Sequence, residues 1–286
     1  MRLKQCARRA TMLPAIMLFI GSLVLPSGVY ALDPHRLPSQ YLREVWNSDN
    51  GLPSSLIMAI AQTPDHYLWL GTFSGLVRFD GVRFTVFNTA NTAALANNTI
   101  WTLLTDKQGT LWIGTNGGGL VRYDGRAFTR FTTKDGLPAD VVRSIGEDAS
   151  GTIWVGTVAG LCSLNVSARE RVSNRVSAST TDSRSFNAVA LAANGSAEPF
   201  INALCGTDEG MWVGTEGLGA FYLSKGKRLH QGRENGLPTD AVNEVCRDRD
   251  GNIWLGTSRG YCVLRVRGES IILAEKGLLE NSVRRI

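Results

Sequence analysis

The sequence predicts an all-β fold assembled from a repeated unit of about 42 residues, and three observations predict it. A motif of the form apolar-Trp-apolar-Gly-Thr occurs five times, as LWLGT, LWIGT, IWVGT, MWVGT and IWLGT. Its tryptophans are spaced by 43, 42, 58 and 42 residues and are Trp69, Trp112, Trp154, Trp212 and Trp254. Turns rich in Gly and Asp separate the short apolar runs, as in hairpins. A fixed period of this length indicates a repeat architecture.

The last repeat, residues 241–278, shows how each unit divides into strands. Val242 and Val245 mark a first strand, and RDRDGN is a tight polar turn. IWLGT is the second strand, SRG the next turn, YCVLRV the third strand and SIILAE the fourth. Four short strands joined by tight turns form one blade of a β-propeller. The sequence therefore predicts a propeller of four-stranded antiparallel blades, incomplete because only five full repeats are present.

The recurring Trp has a packing role in this interpretation. A blade cannot bury its own faces, so a large side chain on the second strand is expected to fill the wedge between neighbouring blades. The Gly two residues after each Trp is expected to allow close approach of the adjacent backbone.

The N-terminus has the features of a secretory signal peptide, residues 1–31. A basic start precedes the apolar run from Met12 to Leu25, and the small residues at 29–31 suit cleavage after Ala31. An uncleaved anchor is the alternative, although the apolar run is shorter than the roughly 20 residues that a spanning helix needs. Residues 32–286 would then be an incomplete propeller domain in the periplasm.

The charge balance argues against nucleic-acid binding. The chain has 30 basic and 25 acidic residues, but residues 1–31 contain four basic residues and no acidic residue. The remaining chain is therefore nearly neutral, with 26 basic and 25 acidic residues. The basic character belongs to the predicted export signal.

The cysteines favour core packing, and nothing in their spacing predicts a metal site. Cys205 and Cys246 occupy matching positions in their repeats, as do Cys162 and Cys262. Cys is a small and commonly buried residue, although an exported protein can form disulfides, and four cysteines allow three pairings. No CxxC or HxxxH spacing occurs, so neither a metal nor another cofactor is predicted.

A second phrase, GLP, runs in step with the first. It stands at 51–53, 136–138 and 236–238, and each Gly lies 18 residues before a marker Trp. Together with D-x-x-G, LWIGT and GL-x-R-x-DG, it makes the segment 50–88 resemble the repeat of the two-component regulator propellers. The resemblance covers residues 41–286. Two departures are His66 and Tyr67 in place of the usual turn Gly, and a Trp154 repeat that lacks the R-x-DG ending.

The resemblance implies an extracytoplasmic sensor region of a bacterial membrane signalling protein. Members of this family typically carry two seven-bladed propellers, a small β-sandwich, a transmembrane helix and a cytoplasmic output domain. That output domain is often a histidine kinase and sometimes a diguanylate cyclase. The family thus implies membrane attachment through a downstream segment and self-association of the whole receptor.

The ends of the repeat region predict partial blades. Residues 41–47 resemble the strand before GLP and are expected to form a fourth strand without its own blade. EKGLL at 275–279 stands where GLP is expected, and 281–286 is expected to start a sixth inner strand. We interpret the chain as part of a longer protein. Residues 165–185, rich in Ser, Arg and Thr, predict a mobile loop insertion, with partner docking as the alternative.

Catalytic motifs are not evident in the sequence. The three histidines, His35, His66 and His230, lie far apart in the repeat pattern, and no G-x-S-x-G motif occurs. NGGG at 116–119 falls in a blade turn with no helix after it to bind phosphate. The chain is therefore not predicted to be an enzyme, with a propeller lyase or hydrolase as the least favoured alternative.

Binding at one face of the propeller is the preferred interpretation. Loops from outer to inner strands and from second to third strands converge around the axis, and they carry polar residues with an occasional aromatic. The candidate ligand-binding residues are Phe73, Asn116, Glu216, Asp240 and Arg259. The expected ligand is a polar small molecule or an oligosaccharide. The predicted function is a periplasmic ligand-sensing module of a two-component or diguanylate cyclase receptor, with a protein-interaction platform as the alternative.

Overall fold

The computed structural model describes residues 44–164, 186–192, 196–224, 226–267, 270–278 and 283. It divides into a unit that ends at Val45 and a unit that begins at Trp46 and contains every described strand. The predicted signal peptide and the predicted loop at 165–185 lie outside the described residues.

Five four-stranded antiparallel sheets make up the second unit, which confirms the predicted all-β, blade-like architecture. The first sheet contains β1 (Ile57–Gln62), β2 (Leu68–Thr72), β3 (Leu76–Phe79) and β4 (Phe84–Phe87). The second contains β5 (Ile100–Thr105), β6 (Leu111–Thr115), β7 (Leu120–Tyr123) and β8 (Phe128–Phe131). The third contains β9 (Val142–Glu147), β10 (Ile153–Thr157), β11 (Gly160–Leu164) and β12 (Phe186–Val189). The fourth contains β13 (Ile201–Gly206), β14 (Met211–Thr215), β15 (Ala220–Ser224) and β16 (Lys227–Gln231). The fifth contains β17 (Val242–Arg247), β18 (Ile253–Thr257), β19 (Gly260–Arg267) and β20 (Ser270–Leu278).

The inner strands connect the blades. In each sheet the strands pair in chain order, and the first strands of successive blades, β1, β5, β9, β13 and β17, pack side by side. Short 3₁₀ turns precede three of these strands, at Ser48–Asn50, Thr133–Asp135 and Arg233–Asn235. None of the helices in the described part of the chain is long and apolar enough to cross a membrane.

A GLP phrase follows each of the three 3₁₀ turns, and the conformation of its Gly and the burial of its Leu account for these residue types. Its Gly ends the turn with a positive φ of 101° to 109°, a conformation in which a Cβ would be strained. The Leu that follows is buried in all three cases, namely Leu52, Leu137 and Leu237. The phrase therefore reverses the chain and anchors the link from one blade to the next.

The marker tryptophans pack between blades, as predicted. Trp112 is 1% exposed and lies in a core cluster with Val142 and Ile145 of the next blade. The Trp69 ring lies 5.2 Å from the ring of Tyr123, which also belongs to the next blade. Trp154 and Trp254 are only partly buried, so the packing is not equally tight at every blade.

The D-x-x-G turns have a role that the sequence analysis missed. One carboxylate oxygen of Asp106, Oδ1, accepts hydrogen bonds from the turn amides of Gln108 and Thr110. The other oxygen, Oδ2, accepts the indole N–H of Trp112 at 2.9 Å. Asp148 and Asp248 bind the indole N–H groups of their own blades at the same distance. The Asp carboxylate therefore links the turn to the Trp that packs between the blades.

The bond from Trp254 also changes the acidity of its acceptor. The indole N–H of Trp254, the Asn252 side chain and two turn amides hold the pKa of Asp248 down to about 2, below its ordinary value of 3.8. These bonds favour the carboxylate because every donor points at a negatively charged oxygen.

The glycine of the repeated motif lies where the next blade approaches closely. A Cβ at Gly114 would lie 2.5 Å from the Thr102 side chain and 2.8 Å from that of Val142. Equivalent contacts with the next inner strand occur at Gly71 and Gly156. The predicted close approach is confirmed at these positions.

Gly114→Ala is expected to lower the free energy of unfolding by about 1–3 kcal/mol, because the new methyl group overpacks the interface between two blades. The measurement is urea denaturation followed by circular dichroism. Gly125→Ala is the matched control. Gly125 has a positive φ but nothing within 4 Å of its Cβ position, so only backbone strain is added. A larger loss of stability for Gly125→Ala would contradict the packing explanation.

The strand predicted at residues 41–47 is not formed by the part of that segment that the structure describes. Residues 44–47 form no strand, and residues 41–43 lie outside the described residues. The centre of the Trp46 ring instead lies 5.0 Å from the centre of the Phe79 ring. The Asn47 side chain caps the first 3₁₀ turn by accepting the backbone N–H of Asp49. A strand needs a paired neighbour for its backbone groups, and no described strand pairs with this segment.

The prediction for EKGLL also needs correction. Residues 275–278 do not form a link between blades but belong to β20, where Gly277 pairs with Tyr261 and Lys276 with Cys262. The long β19–β20 hairpin satisfies these backbone groups. Val283 donates its N–H to the Thr257 carbonyl, and its carbonyl accepts from the Asn243 side chain. The Asn202 side chain donates in the same way to the carbonyl of Val242, which is the first residue of β17. Val283 therefore occupies the position that the first residue of an inner strand has in the other blades.

The four described cysteines are free thiols. Cys162 and Cys262 are buried in the cores, and burial raises the pKa of each to about 12. A thiol with so high a pKa stays protonated at neutral pH and is unreactive. This confirms core packing as the role of these two residues.

Candidate functional site

A β-bulge recurs at the start of every inner strand. The register between inner and second strand shifts between the first and third residues, for example between Ile100 and Thr102. The second residue is therefore left without a cross-strand partner. The five residues in this position are Met58, Trp101, Arg143, Asn202 and Asn243. Bulges re-aim side chains and are frequent beside functional sites.

All five bulged residues line one cavity of about 740 Å³. The cavity lies where the inner strands begin, so each of the five blades contributes to its wall. Further polar lining comes from Thr102, Ser144, Glu216, Glu244 and Ser258. We call this space the axial cavity. Its volume is in the range of small-molecule sites, and its polar groups converge from separate strands.

One side of the axial cavity is aromatic and cationic. The guanidinium carbon of Arg143 lies 4.6 Å from the centre of the Trp101 ring. Phe73 meets the same ring edge-on, with 5.8 Å between ring centres. Within the described residues, no carboxylate forms an ion pair with Arg143, and the buried Trp101 Nε1 has no acceptor. This side therefore offers hydrogen-bond donors and positive charge.

The other side carries amides and carboxylates. Asn202 Nδ2 donates to Glu216 Oε2 at 2.9 Å and to the Val242 carbonyl at 3.2 Å. The first contact lies within the fourth blade, and the second joins the fourth blade to the fifth. The Asn202 oxygen and the carboxylates of Glu216 and Glu244 give this side the character of a hydrogen-bond acceptor.

The structure brings only part of the predicted site together. Glu216 lines the axial cavity, and Phe73 reaches it through its contact with Trp101. Asn116 and Arg259 are exposed and do not line it.

Asp240 also lies outside the cavity lining, and its polar groups are occupied. Its carboxylate accepts the Arg233 amide at 2.8 Å, and its carbonyl accepts the amides of Gly217 and Gly219. Asp240 therefore connects the loop after β14, which contains Gly217 and Gly219, to the 3₁₀ turn that begins at Arg233. Asp140 makes the same set of bonds two repeats earlier, with Thr133, Gly117 and Gly119.

The bulged residues were missed by sequence reasoning, although the repeat contains a signal for them. The residue before each bulge is always Ile or Val, whereas the bulged position holds Met, Trp, Arg, Asn and Asn. A position that varies inside otherwise uniform repeats is free of the packing role that fixes its neighbours. That variation marks a surface on which each blade can present a different group.

Histidines and metal-binding groups are not part of this site. His230 lies on the outer strand β16 with its Nε2 2.8 Å from the Leu218 carbonyl, and His66 lies in a turn with a φ of 67°. Among the residues that the structure describes, no group of three or more His, Cys, Asp or Glu side chains could hold a metal ion.

Known structures share the fold of this chain. Two extracellular domains described as parts of hybrid two-component systems of B. thetaiotaomicron are each 21% identical to it, with TM-scores of 0.61 and 0.60. The matches cover 80% and 79% of this chain but only 31% of each of those chains. Virginiamycin B lyase from Staphylococcus aureus is 14% identical with a TM-score of 0.56, covering 79% of this chain and 70% of the lyase. Such identities establish the fold alone.

The repeats themselves match a known family. No curated protein matches the chain. A family model described as "Two component regulator propeller" matches it at residues 51–74, 94–117, 136–159 and 236–259. Each matched segment runs from the link before an inner strand to the turn after a marker Trp, so the resemblance inferred from GLP and LWIGT is confirmed. Four segments of this chain are therefore similar to the repeat of the two component regulator propellers.

Proposed function

We propose that this chain is the ligand-sensing propeller module of a membrane-bound bacterial signalling receptor, exported to the periplasm by its N-terminal signal. The observation that carries the proposal is the axial cavity, into which every inner strand directs one bulged residue. A rigid ring of strands that presents variable side chains at one point is suited to binding a small ligand.

Similarity to the two component regulator propeller repeat supports the signalling part of the proposal. Regulator propellers are sensor regions, and the similar solved structures include extracellular domains described as parts of hybrid two-component systems. A kinase or cyclase output domain and self-association of the receptor belong to this proposal. Signalling requires that the ligand bind one arrangement of the receptor better than another, since equal affinity would shift nothing.

Trp101→Ala and Asn202→Ala are expected to weaken ligand binding about tenfold or more each, because both side chains line the axial cavity. The experiment titrates the full chain by calorimetry with neutral oligosaccharides, acidic oligosaccharides, amino acids and dipeptides. Arg130→Ala, on the exposed side of β8, is the control and should bind as the parent does. A ligand whose affinity is unchanged in both cavity variants would show that the site lies elsewhere.

A further inference from the structure

We propose that the axial cavity selects a zwitterionic ligand of the amino acid or short peptide class. This inference rests on the proposed function and specifies its ligand. The ligand's carboxylate would be bound beside Arg143 and Trp101, and its ammonium group beside Glu216. The cavity lining is divided by charge, with Arg143 on the third blade and the carboxylates of Glu216 and Glu244 on the fourth and fifth.

The donor side fits a carboxylate. Arg143 is held with its guanidinium over the Trp101 ring, and within the described residues it has no ion-pair partner. The buried Trp101 N–H beside it likewise has no acceptor in the described part of the chain. A buried donor that lacks an acceptor is unfavourable, and a planar guanidinium pairs with a carboxylate through two parallel hydrogen bonds. A ligand carboxylate could supply the ion-pair partner that Arg143 lacks among the described residues.

The acceptor side fits an ammonium group. Glu216 is fixed by the Asn202 amide at 2.9 Å, so one of its oxygens is positioned by the protein. Within the described residues, Glu216 forms no ion pair with Lys, Arg or His. Glu244 places a second carboxylate on the wall of the same cavity. An ammonium group has three donors and a positive charge, which match the Glu216 carboxylate and the Asn202 amide oxygen.

Charge favours a zwitterion over an uncharged sugar. Neutral hydroxyl groups could bond to both sides, but they would leave the charges of Arg143 and Glu216 uncompensated when the ligand excludes water. Desolvation of an unpaired charge is strongly unfavourable, whereas a ligand carrying both signs compensates each charge where it lies. Arg143 lies on β9, Glu216 follows β14 of the next blade and Glu244 lies on β17, so the ligand must reach from one blade to another.

The test uses the full chain and a panel of dipeptides, among them alanylglutamate, alanyl-lysine and glycylglycine, measured by calorimetry. Each dipeptide is compared with its N-acetylated, C-amidated form, which has the same backbone without the terminal charges. Binding of one or more free dipeptides, with at least about tenfold weaker binding of the blocked form, is the expected result. Arg143→Gln and Glu216→Gln should each weaken binding of the free dipeptide to a similar degree.

Arg130→Gln serves as the control because it removes the same charge from an exposed outer strand. Thermal melts of each variant verify folding, and Arg143→Lys, which keeps the charge, should retain part of the affinity. If an uncharged trisaccharide binds and its affinity is unchanged in Arg143→Gln and Glu216→Gln, the zwitterion is wrong while a sensing role stands. If nothing in the combined panel of dipeptides, amino acids and oligosaccharides binds, both proposals fail.

Discussion

Trp112→Ala is expected to lower the free energy of unfolding by about 3–5 kcal/mol, the range for removing a large buried aromatic side chain. Trp112 is 1% exposed, lies in the cluster shared by the second and third blades, and donates its indole N–H to Asp106. Its removal leaves a cavity between two blades and deprives a carboxylate oxygen of its indole donor. Urea denaturation followed by far-ultraviolet circular dichroism measures the loss.

Trp46→Ala is the matched control for this prediction. Trp46 is 43% exposed and packs by its edge against Phe79 and Phe84 of a single blade. Its loss removes less buried area and opens no gap between blades, so we expect a change of about 1 kcal/mol. Equal destabilisation by the two substitutions would refute the view that contacts between blades dominate stability.

Equivalent positions in the repeats show how much one blade depends on the next. The fourth residue of the inner strand is 7% exposed in Ile145 and 3% exposed in Val245, but 65% exposed in Ile60 of the first blade. The strand and the side-chain class are the same in each case. What differs is the presence of a preceding blade, which covers Ile145 and Val245. Burial in this fold is therefore supplied by the neighbour and not by the blade itself.

This dependence explains why the fold was predictable from sequence. Every blade must present the same wedge and the same close-approach glycine, so the requirement appears five times as the apolar-Trp-apolar-Gly-Thr motif. In each repeat the turn residues and the spacing of the apolar residues favour the same four-stranded blade, and a sequence whose local preferences all favour one fold specifies that fold. Residues 44–47 resemble the strand before GLP and were predicted to form one, but no partner strand for them is found among the described residues and they form no strand.

The site was less predictable because bulges depend on pairing and not on residue type. Arg143 follows Val142 in sequence with no Gly or Pro to mark an irregularity, and only the register against β10 leaves it unpaired. The loop residues chosen from sequence were polar for two different reasons. Glu216 lines the axial cavity, whereas Asp240 holds the Arg233 amide. Composition alone does not separate these uses.

Asp106→Ala is expected to lower the free energy of unfolding by about 2–4 kcal/mol, nearly as much as removal of the Trp that it binds. The Asp106 carboxylate accepts from the Gln108 amide at 3.0 Å, the Thr110 amide at 2.8 Å and the Trp112 indole at 2.9 Å. Alanine removes all three bonds and leaves a buried indole N–H without an acceptor. Chemical denaturation of the variant, followed by circular dichroism, gives the value.

Asp124→Ala separates the turn from the indole bond. Asp124 accepts two turn amides, those of Arg126 and Ala127, but binds no Trp among the described residues and is exposed. We expect this control to lose about 0.5–1.5 kcal/mol, the value of ordinary exposed hydrogen bonds. Equal losses for Asp106→Ala and Asp124→Ala would mean that the Asp serves only the turn, as the sequence alone suggested.

The chain contains natural variants of the same contact. In the first blade Thr63 replaces the Asp, and its hydroxyl accepts the Trp69 indole at 2.9 Å. In the fourth blade the turn is one residue shorter, Gly206 stands six residues before Trp212, and the Trp212 Nε1 has no acceptor among the described residues.

Asp106→Thr should therefore recover part of the stability lost in Asp106→Ala, because a hydroxyl at this position can reach the indole. A double substitution that adds Trp112→Phe, which has no N–H to satisfy, should make the loss from Asp106→Ala smaller. If that loss is the same with and without Trp112→Phe, the indole bond contributes nothing.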